Sequence, residues 1–158
     1  MPCLRLLALT LTAIALVPSA AHLLEMPAKM GLDREEYFLV QGIYAGWSWF
    51  AVPILGAIVA NLALFVGERR RERAAARMAL VAAVLVALSL AIFFLWVFPG
   101  NQATANWTTA TDDWQSLRRR WEYGHAGGAI LVFAAFLATA LATTWPGRDR
   151  RSRRGDAP

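Results

Sequence analysis

Cysteine, histidine and charged side chains are all scarce in this sequence of 158 residues. The single cysteine, Cys3, excludes a disulfide framework and a cysteine-rich metal site, and a count of two histidines excludes a histidine-rich one. Charged residues make up only 17% of the chain, against about a quarter in soluble domains, while 58% of it is hydrophobic. This composition is too apolar for a disordered chain, and it leaves too little polar surface for a water-soluble globule.

Four long stretches of the sequence carry no charged side chain, at residues 6–24, 45–66, 78–98 and 126–147. Each stretch is 19 to 22 residues long, and about 20 apolar residues are enough for a helix to cross the hydrocarbon core of a bilayer. The sequence therefore predicts an all-α fold, a four-helix transmembrane bundle that forms one domain over residues 1–147. The spans are expected at about residues 5–26, 43–66, 78–98 and 124–145.

The basic residues lie mainly on one side of the predicted membrane. Eleven of the 16 Lys and Arg residues fall before the first span, between the second and third spans, or after the fourth. The positive-inside rule therefore predicts that both termini are cytoplasmic, in a multi-pass protein of the cell (inner) membrane. Residues 148–158 are expected to form a disordered basic cytoplasmic tail. Because this charge sets orientation and faces lipid headgroups, no nucleic-acid partner is expected.

The first span also resembles a signal peptide. Arg5 precedes an apolar run that reaches the small residues 18–21, as at a cleavage site. The run continues through Leu24, which favours a retained helix. Cleavage after Ala21 would make His22 the N-terminal residue, which could then chelate copper. Either outcome places residue 22 outside, so the predicted topology of the remaining chain is the same.

Local signals predict where the first two helices begin and end. Pro27 disfavours a helical residue before it, so the first helix is expected to end near Met26. Asp33 is expected to cap a second helix that starts outside the membrane and runs without a break to about Phe65. Pro53 is expected to kink that helix.

The second half of the chain has comparable signals. The third helix is expected to stop at Pro99 and Gly100, and an outer loop follows over residues 100–111. Asp112 is expected to cap a short interfacial helix that continues into the fourth span. Two pairs of glycines four residues apart would let helix backbones approach closely. They are Gly42 with Gly46, and Gly124 with Gly128.

Polar side chains are expected to meet at one level near the outer ends of the four helices. His22 and Glu25 lie three residues apart on the first helix, as do Glu122 and His125 on the fourth, so each pair shares a helix face. Ionisable groups in a membrane usually face the bundle interior or a watery cavity, because exposure to lipid is costly. The sequence therefore predicts an outward-facing polar pocket. It is built from His22, Glu25, Gln41, Tyr44, Asn101, Arg118, Glu122 and His125.

Four interpretations of this cluster are open from the residues alone. It could only fix the helix register, with Arg118 paired to Glu122. It could bind no cofactor and perform acid–base chemistry, with a His–Glu pair as base and Arg118 or Asn101 stabilising an enolate. It could carry a haem on its two histidines. It could hold a single metal ion, since two histidines with one or two carboxylates suit iron, zinc or manganese. The metal ligands would be His22, Glu25, Glu122 and His125.

A longer pattern spans residues 98–126. Pro99-x-Asn101 follows the third span, and Trp114, Arg118 and His125 lead into the fourth. This pattern resembles a bacterial branch of the anthrone-oxygenase-like family, whose members are small four-helix membrane proteins, most of unknown function. The characterised fungal relatives oxidise anthrones to anthraquinones with molecular oxygen and without a bound cofactor. The resemblance therefore implies an oxygenase or oxidoreductase of lipophilic aromatic or quinol-like molecules.

In such a reaction a base removes an acidic benzylic proton, and the electron-rich anion reacts with oxygen. The first candidate for the base is His125 beside Glu122, and the second is His22 beside Glu25. Tryptophans could stack on a flat substrate. The candidate substrate-binding residues are Gln41, Tyr44, Trp107, Trp114 and Trp121.

The alternative is a non-enzymatic membrane protein. Such a protein would bind a metal, a haem or a small molecule, or would be a subunit of a larger membrane complex. The partners expected from the sequence are the lipid bilayer and a lipophilic small molecule, together with a second copy of the chain or another membrane protein.

Overall fold

The computed structural model describes residues 1–144, and this part of the chain is helical without β-strands. The prediction of an all-helical chain with four long apolar helices is confirmed. The expected tail at residues 148–158 and the last residues of the fourth span lie outside the described residues. Four helical segments are long and apolar enough to cross a membrane. They are Pro2–Lys29, Trp47–Glu68, Arg73–Ala103 and Trp114–Thr144.

Helix α1 (Pro2–Lys29) is longer than the sequence predicted, because Pro27 does not end it. Both Pro18 and Pro27 lie inside the helix, although proline removes a backbone hydrogen bond wherever it interrupts a helix interior. A basic side chain in the last turn interacts favourably with the helix dipole, and Lys29 occupies that turn. The extra turn beyond Met26 places Lys29 inside the bundle.

Helix α2 (Arg34–Gln41) begins as predicted. The Asp33 side chain accepts a hydrogen bond from the Glu36 backbone N–H at 2.9 Å, and the Glu36 carboxylate accepts one from the Asp33 backbone N–H at 3.2 Å. This capping box satisfies two N–H groups that a helix leaves unpaired at its start.

The second predicted helix is not continuous, which corrects the expectation of a single helix as far as Phe65. After α2 the chain forms a 3-10 turn (Gly42–Tyr44) and then adopts a left-handed conformation at Gly46, with φ at 84°. Glycine adopts this conformation without steric cost. A second 3-10 turn (Trp47–Phe50) leads into α3 (Ala51–Glu68). Pro53 therefore lies in the first turn of α3, where proline is tolerated, and does not kink a longer helix.

The third span also differs from its predicted end. Helix α4 (Arg73–Ile92) continues through a π-helical turn (Phe93–Val97) into α5 (Phe98–Ala103). The helical run therefore passes through Pro99, which sits in the first turn of α5. Helix α6 (Trp114–Thr144) contains the predicted interfacial segment and the fourth span in one unbroken helix.

The four long helices form a ring in which α6 packs against α1 and α4, and α3 packs against the same two helices. Fourteen of the 21 buried hydrophobic residues in the described part of the chain are alanine, so the helix backbones lie close together. Small residues at helix contacts are typical of membrane bundles, because association in lipid depends on packing. Large apolar side chains such as Leu7, Val59 and Leu137 are exposed on the outside of the ring.

The ring has two chemically different ends. We call the end with Arg5 and Glu68 the Arg-rich end, and the end with His22, Lys29 and Glu122 the aromatic end. At the Arg-rich end, Arg5 forms a salt bridge with Glu68 at 2.9 Å and donates a hydrogen bond to the Thr143 carbonyl at 3.2 Å. These contacts join α1, α3 and α6.

A second polar contact joins the same three helices in the middle of the bundle. The Asn61 amide donates to the Thr12 hydroxyl at 3.1 Å and to the Ala57 carbonyl at 2.9 Å, and its oxygen accepts a bond from the Thr139 hydroxyl at 3.0 Å. All of Thr12, Asn61 and Thr139 are fully buried. Because the Asn61 amide is hydrogen-bonded at both ends, this group acts as a polar bridge between helices.

The two predicted glycine pairs have different outcomes. A Cβ placed on Gly42 or Gly46 would meet no atom within 4 Å, so this pair does not support close packing. A Cβ on Gly124 would lie 2.8 Å from Val97, and one on Gly128 would lie at ordinary contact distance from α4. Close approach therefore depends on Gly124.

We predict that Gly124→Ala lowers the free energy of unfolding by about 1–3 kcal/mol, because the added methyl overpacks against Val97 and Trp96. Gly127→Ala is the matched control on the same helix, since its Cβ would meet Ile92 at an ordinary 3.8 Å. The control should leave stability unchanged or raise it by up to about 1 kcal/mol. Denaturant unfolding in detergent micelles measures both, and equal stabilities for the two variants would contradict the packing account.

Candidate functional site

Lys29 lies at the centre of the polar cluster at the aromatic end. Its side chain is only 3% exposed, and its Nζ lies 3.1 Å from Glu122 Oε1. The ammonium also donates to the Tyr44 hydroxyl at 2.8 Å and lies 3.9 Å from Glu25 Oε2. Its Nζ is 4.7 Å from the centre of the Trp121 ring, where a cation–π interaction adds to the attraction. Two carboxylates, a phenol and an indole thus surround one buried cation.

Lys29 was not among the residues that the sequence predicted for the cluster, because its charge was expected outside the membrane. One signal was present, because Glu25 and Lys29 are four residues apart and lie on one helix face. The expected end of the first helix at Met26 removed Lys29 from the helix and concealed this signal.

Glu122 is the most deeply buried carboxylate of the cluster, with 1% of its surface exposed. Its Oε1 accepts a hydrogen bond from the Tyr37 hydroxyl at 2.9 Å in addition to the contact with Lys29. Its Oε2 is buried and has no hydrogen-bond partner within residues 1–144. The expected pairing of Glu122 with His125 is therefore wrong, since Tyr37 and Lys29 hold this carboxylate.

The pairing of Arg118 with Glu122, which one of the four open interpretations of the cluster required, is not formed. The Arg118 guanidinium donates to the Leu32 carbonyl at 2.8 Å and lies 4.7 Å from the Trp114 ring centre. These contacts attach the segment before α2 to the start of α6. Arg118 thus holds the segment before α2 in place, and Lys29 is the cation that pairs with Glu122.

Glu25 lies at the edge of the cluster, with 38% of its side chain exposed. It accepts a hydrogen bond from the Tyr44 hydroxyl, so the expected contact with His22 is replaced by one with Tyr44. Burial raises the pKa of the Tyr44 phenol above its usual range, and Glu25 adds to the effect. Burial, followed by Glu122, likewise raises the pKa of Tyr37. Both phenols therefore keep their protons and act as donors to carboxylates.

The two histidines are brought together by the structure. The rings of His22 and His125 stack with centres 3.9 Å apart and planes 28° from parallel. Trp121 contacts both rings edge-on or nearly so, and Tyr44 lies 4.5 Å from His22. His22 is 6% exposed, and its Nδ1 is a buried nitrogen without a partner in the described part of the chain.

This arrangement does not fit the cofactors that the sequence left open. Two imidazoles stacked at 3.9 Å leave no space for a porphyrin between them, so His22 and His125 are not placed as axial haem ligands. Among residues 1–144, no group of three or more His, Cys, Asp or Glu side chains is placed to hold a metal ion.

Asn101 positions two of the predicted substrate-stacking tryptophans. Its Oδ1 accepts hydrogen bonds from the indole N–H groups of Trp121 at 2.8 Å and Trp107 at 3.2 Å. Both indoles are buried, so they pack within the site and do not form an open stacking surface. Ala105, Asn106 and Trp107 all have positive φ angles of 48° to 64°, which cost roughly 1–3 kcal/mol each when surrounding contacts impose them.

The remaining predicted binding residues lie around this core. Gln41 is buried, and its Nε2 has no partner in the described residues. Trp114 packs near Tyr37 and Phe38 at the outer edge of the cluster. An apolar groove of about 450 Å³ lies elsewhere, between α1 and α6, and none of the cluster residues lines it.

We predict that Lys29→Met lowers the free energy of unfolding by about 3–5 kcal/mol, because it leaves the Glu122 carboxylate buried without its cation. The double variant Lys29→Met, Glu122→Gln should recover most of this loss, since no buried charge remains unpaired. Arg34→Met is the control, because Arg34 forms only an exposed pair with Glu35. It should not change stability measurably.

Unfolding of the wild type, Lys29→Met, Glu122→Gln and the double variant in one detergent gives the coupling between Lys29 and Glu122. A double variant as unstable as the sum of the two single variants would show that the two side chains do not interact.

No protein-family model matches this chain, and neither a curated protein nor a solved structure is significantly similar to it. The resemblance to anthrone oxygenases therefore depends on the sequence pattern of residues 98–126 alone. The helices support a more general conclusion, which concerns the architecture and not the activity. With four segments long and apolar enough to cross a bilayer, the chain has the architecture of a multi-pass membrane protein.

Proposed function

We propose that the chain is an oxygenase or oxidoreductase of the cell membrane that acts on a lipophilic aromatic molecule of the anthrone or hydroquinone type. The observation that carries this proposal is a buried acid–base cluster inside an aromatic shell. Glu122 Oε2 and His22 Nδ1 are buried without partners in residues 1–144. Buried polar atoms are nearly always hydrogen-bonded, so two such atoms in one cluster are the candidate contacts for a polar group of a ligand.

The proposed chemistry uses His22 as the base, because its Nδ1 is free to accept a proton. His22 removes the benzylic proton of an anthrone, and the Lys29 ammonium favours the resulting enolate by its positive charge. The anion gives its electrons to molecular oxygen, which bonds to the benzylic carbon. Loss of water then leaves the quinone, so one anthrone and one oxygen molecule give one anthraquinone and one water. His125 stacks behind the base and holds its orientation.

We predict that the purified chain consumes oxygen when an anthrone is added, and that His22→Ala slows this on the order of a hundredfold, the usual contribution of a positioned base. Trp49→Phe is the control, because Trp49 is exposed at the same end of the bundle and contributes nothing to the cluster. Oxygen uptake and quinone absorbance measure the rate. Equal rates for His22→Ala and Trp49→Phe, with both variants folded, would contradict a catalytic role for the cluster.

A specific observation favours a second function. Lys29 is already paired with Glu122, Tyr44 and Glu25, so much of the cluster is satisfied without a ligand. In this second proposal the cluster fixes the register of α1 against α6, and the protein is a subunit of a larger membrane complex. This function would be supported if the purified chain did not oxidise anthrones, while substitutions in the cluster still lowered its stability.

The proposed orientation places both termini in the cytoplasm and the aromatic end on the opposite side. Its support is the distribution of basic residues in the sequence, 11 of 16 of which precede the first span, join the second span to the third, or follow the fourth. Substrate would then enter the cluster from the outer leaflet of the membrane.

We predict that Cys3, the only cysteine and an exposed one, resists a membrane-impermeant maleimide in spheroplasts and reacts after permeabilisation. Thr109→Cys, combined with Cys3→Ala, tests the other side, because Thr109 is exposed in the loop before α6. That variant should react before permeabilisation. Labelling of Cys3 in sealed spheroplasts would reverse the proposed orientation.

A further inference from the structure

A continuous line of contacts runs from the buried carboxylate of Glu122 to the half-exposed carboxylate of Glu25. Glu122 Oε1 lies 3.1 Å from Lys29 Nζ, and Lys29 donates to the Tyr44 hydroxyl at 2.8 Å. Tyr44 in turn donates to Glu25 Oε2. Exposure rises along this line from 1% at Glu122 to 38% at the Glu25 side chain. The Lys29 ammonium thus lies between the Glu122 carboxylate and the Tyr44 hydroxyl, and the two donors beyond it, Lys29 to Tyr44 and Tyr44 to Glu25, are directed toward the exposed end of the line.

We propose that these four side chains form a proton relay that connects the interior of the cluster with the membrane surface. In the outward direction Tyr44 gives its proton to the Glu25 carboxylate, and Lys29 gives one ammonium proton to Tyr44. Lys29 then takes the proton of protonated Glu122. The net result moves one proton from Glu122 to Glu25, while Lys29 and Tyr44 end with the protons they began with.

Two features distinguish this line from an ordinary buried ion pair. The first is the second oxygen of Glu122, which is buried and has no partner in the described residues, so a proton can be received there. The second is the outer end of the line, because a structural pair would not need a half-exposed carboxylate beyond the tyrosine. Burial and Glu25 raise the pKa of Tyr44, so a free phenolate is unfavourable and the transfers through Tyr44 are concerted.

Other charged and titratable groups surround the line without completing a second path. Tyr37 donates to the Glu122 oxygen that Lys29 also contacts, and it has no contact with the rest of the line among the hydrogen bonds of residues 1–144. The His22 ring packs at a tilt against Tyr44, and its Nδ1 has no hydrogen-bond partner in the described part of the chain. Arg118 is directed to the Leu32 carbonyl. Tyr44 is therefore the link that the route needs.

The relay rests on the proposed function only for its use, which would be to exchange protons between the cluster and the surface while the substrate anion exists; the proton that His22 removes is returned when water forms. Its test needs no substrate. The full-length chain in lipid nanodiscs is exposed to a light-triggered release of protons, and time-resolved infrared spectra follow the carboxylic acid bands. Glu122→Gln and Glu25→Gln identify which band belongs to which residue.

The relay predicts that the Glu25 band responds first and that the Glu122 band follows. Tyr44→Phe should slow the Glu122 response on the order of a hundredfold, as loss of a positioned proton-transfer group does, and leave the Glu25 response unchanged. Tyr123→Phe is the matched control, because Tyr123 is exposed and lies outside the line. Tyr37→Phe tests the other phenol on Glu122 and should leave the rate unchanged.

A Glu122 response in folded Tyr44→Phe that is as fast as in Tyr123→Phe would overturn the relay. If Tyr44→Phe does not fold, Glu25→Gln provides the second test, because a half-exposed side chain is easily replaced. It should slow the Glu122 response to a similar degree, and an unchanged rate would overturn the relay.

The two proposals fail separately. A Tyr44-dependent proton response without oxygen consumption would keep the relay and remove the oxygenase. Anthrone oxidation with a proton response that ignores Tyr44 would do the reverse.

Discussion

The buried ion pair between Lys29 and Glu122 is the interaction on which the aromatic end depends. Taking two charges out of water costs several kcal/mol per ion, and their attraction repays this only if the remaining polar atoms are also satisfied. Tyr37, Tyr44 and Glu25 supply most of those contacts. The segment from α2 through its 3-10 turns folds over the pair because it carries both tyrosines, and the turn at Gly46 then returns the chain to α3. The irregular backbone therefore lies where the buried charges need partners.

Helices α1 and α6, which carry Lys29 and Glu122, are joined by polar contacts at three levels. At each level α1 contributes a basic side chain or a hydroxyl. Helix α6 contributes the group that meets it, which is a backbone carbonyl, a hydroxyl or a carboxylate. From the Arg-rich end to the aromatic end, the pairs are Arg5 with Thr143, Thr12 with Thr139, and Lys29 with Glu122. Between these levels the contact surfaces are mostly alanine, which allows close packing but specifies register weakly. The polar levels thus fix the register that alanine leaves open, and they place His22 against His125.

The sequence predicted the parts of this structure that depend on local or periodic signals. Four uncharged runs predicted four long helices, and the three-residue spacing of Glu122 and His125 placed both near the cluster. Helix ends were less predictable, since Pro27 continues a helix and Gly42–Tyr44 interrupts one, and both depend on contacts with other helices. The pairings between different helices of the cluster could not be predicted. Whether Glu122 meets His125, Arg118 or Lys29 depends on the rotation of α1 relative to α6, which no single helix encodes.

Lys29 and Glu122 form an ion pair inside the bundle, and the distance between their side chains can be measured in the membrane. Solid-state NMR of the chain in lipid bilayers, with 15N at the Lys29 ammonium and 13C at the Glu122 carboxylate, measures the dipolar coupling between these atoms. The structure predicts the strong coupling of a direct contact, since Nζ and Oε1 are 3.1 Å apart. A vanishing coupling in the folded protein would contradict the account, because the tyrosines, the histidine stack and the proton relay all depend on this pair.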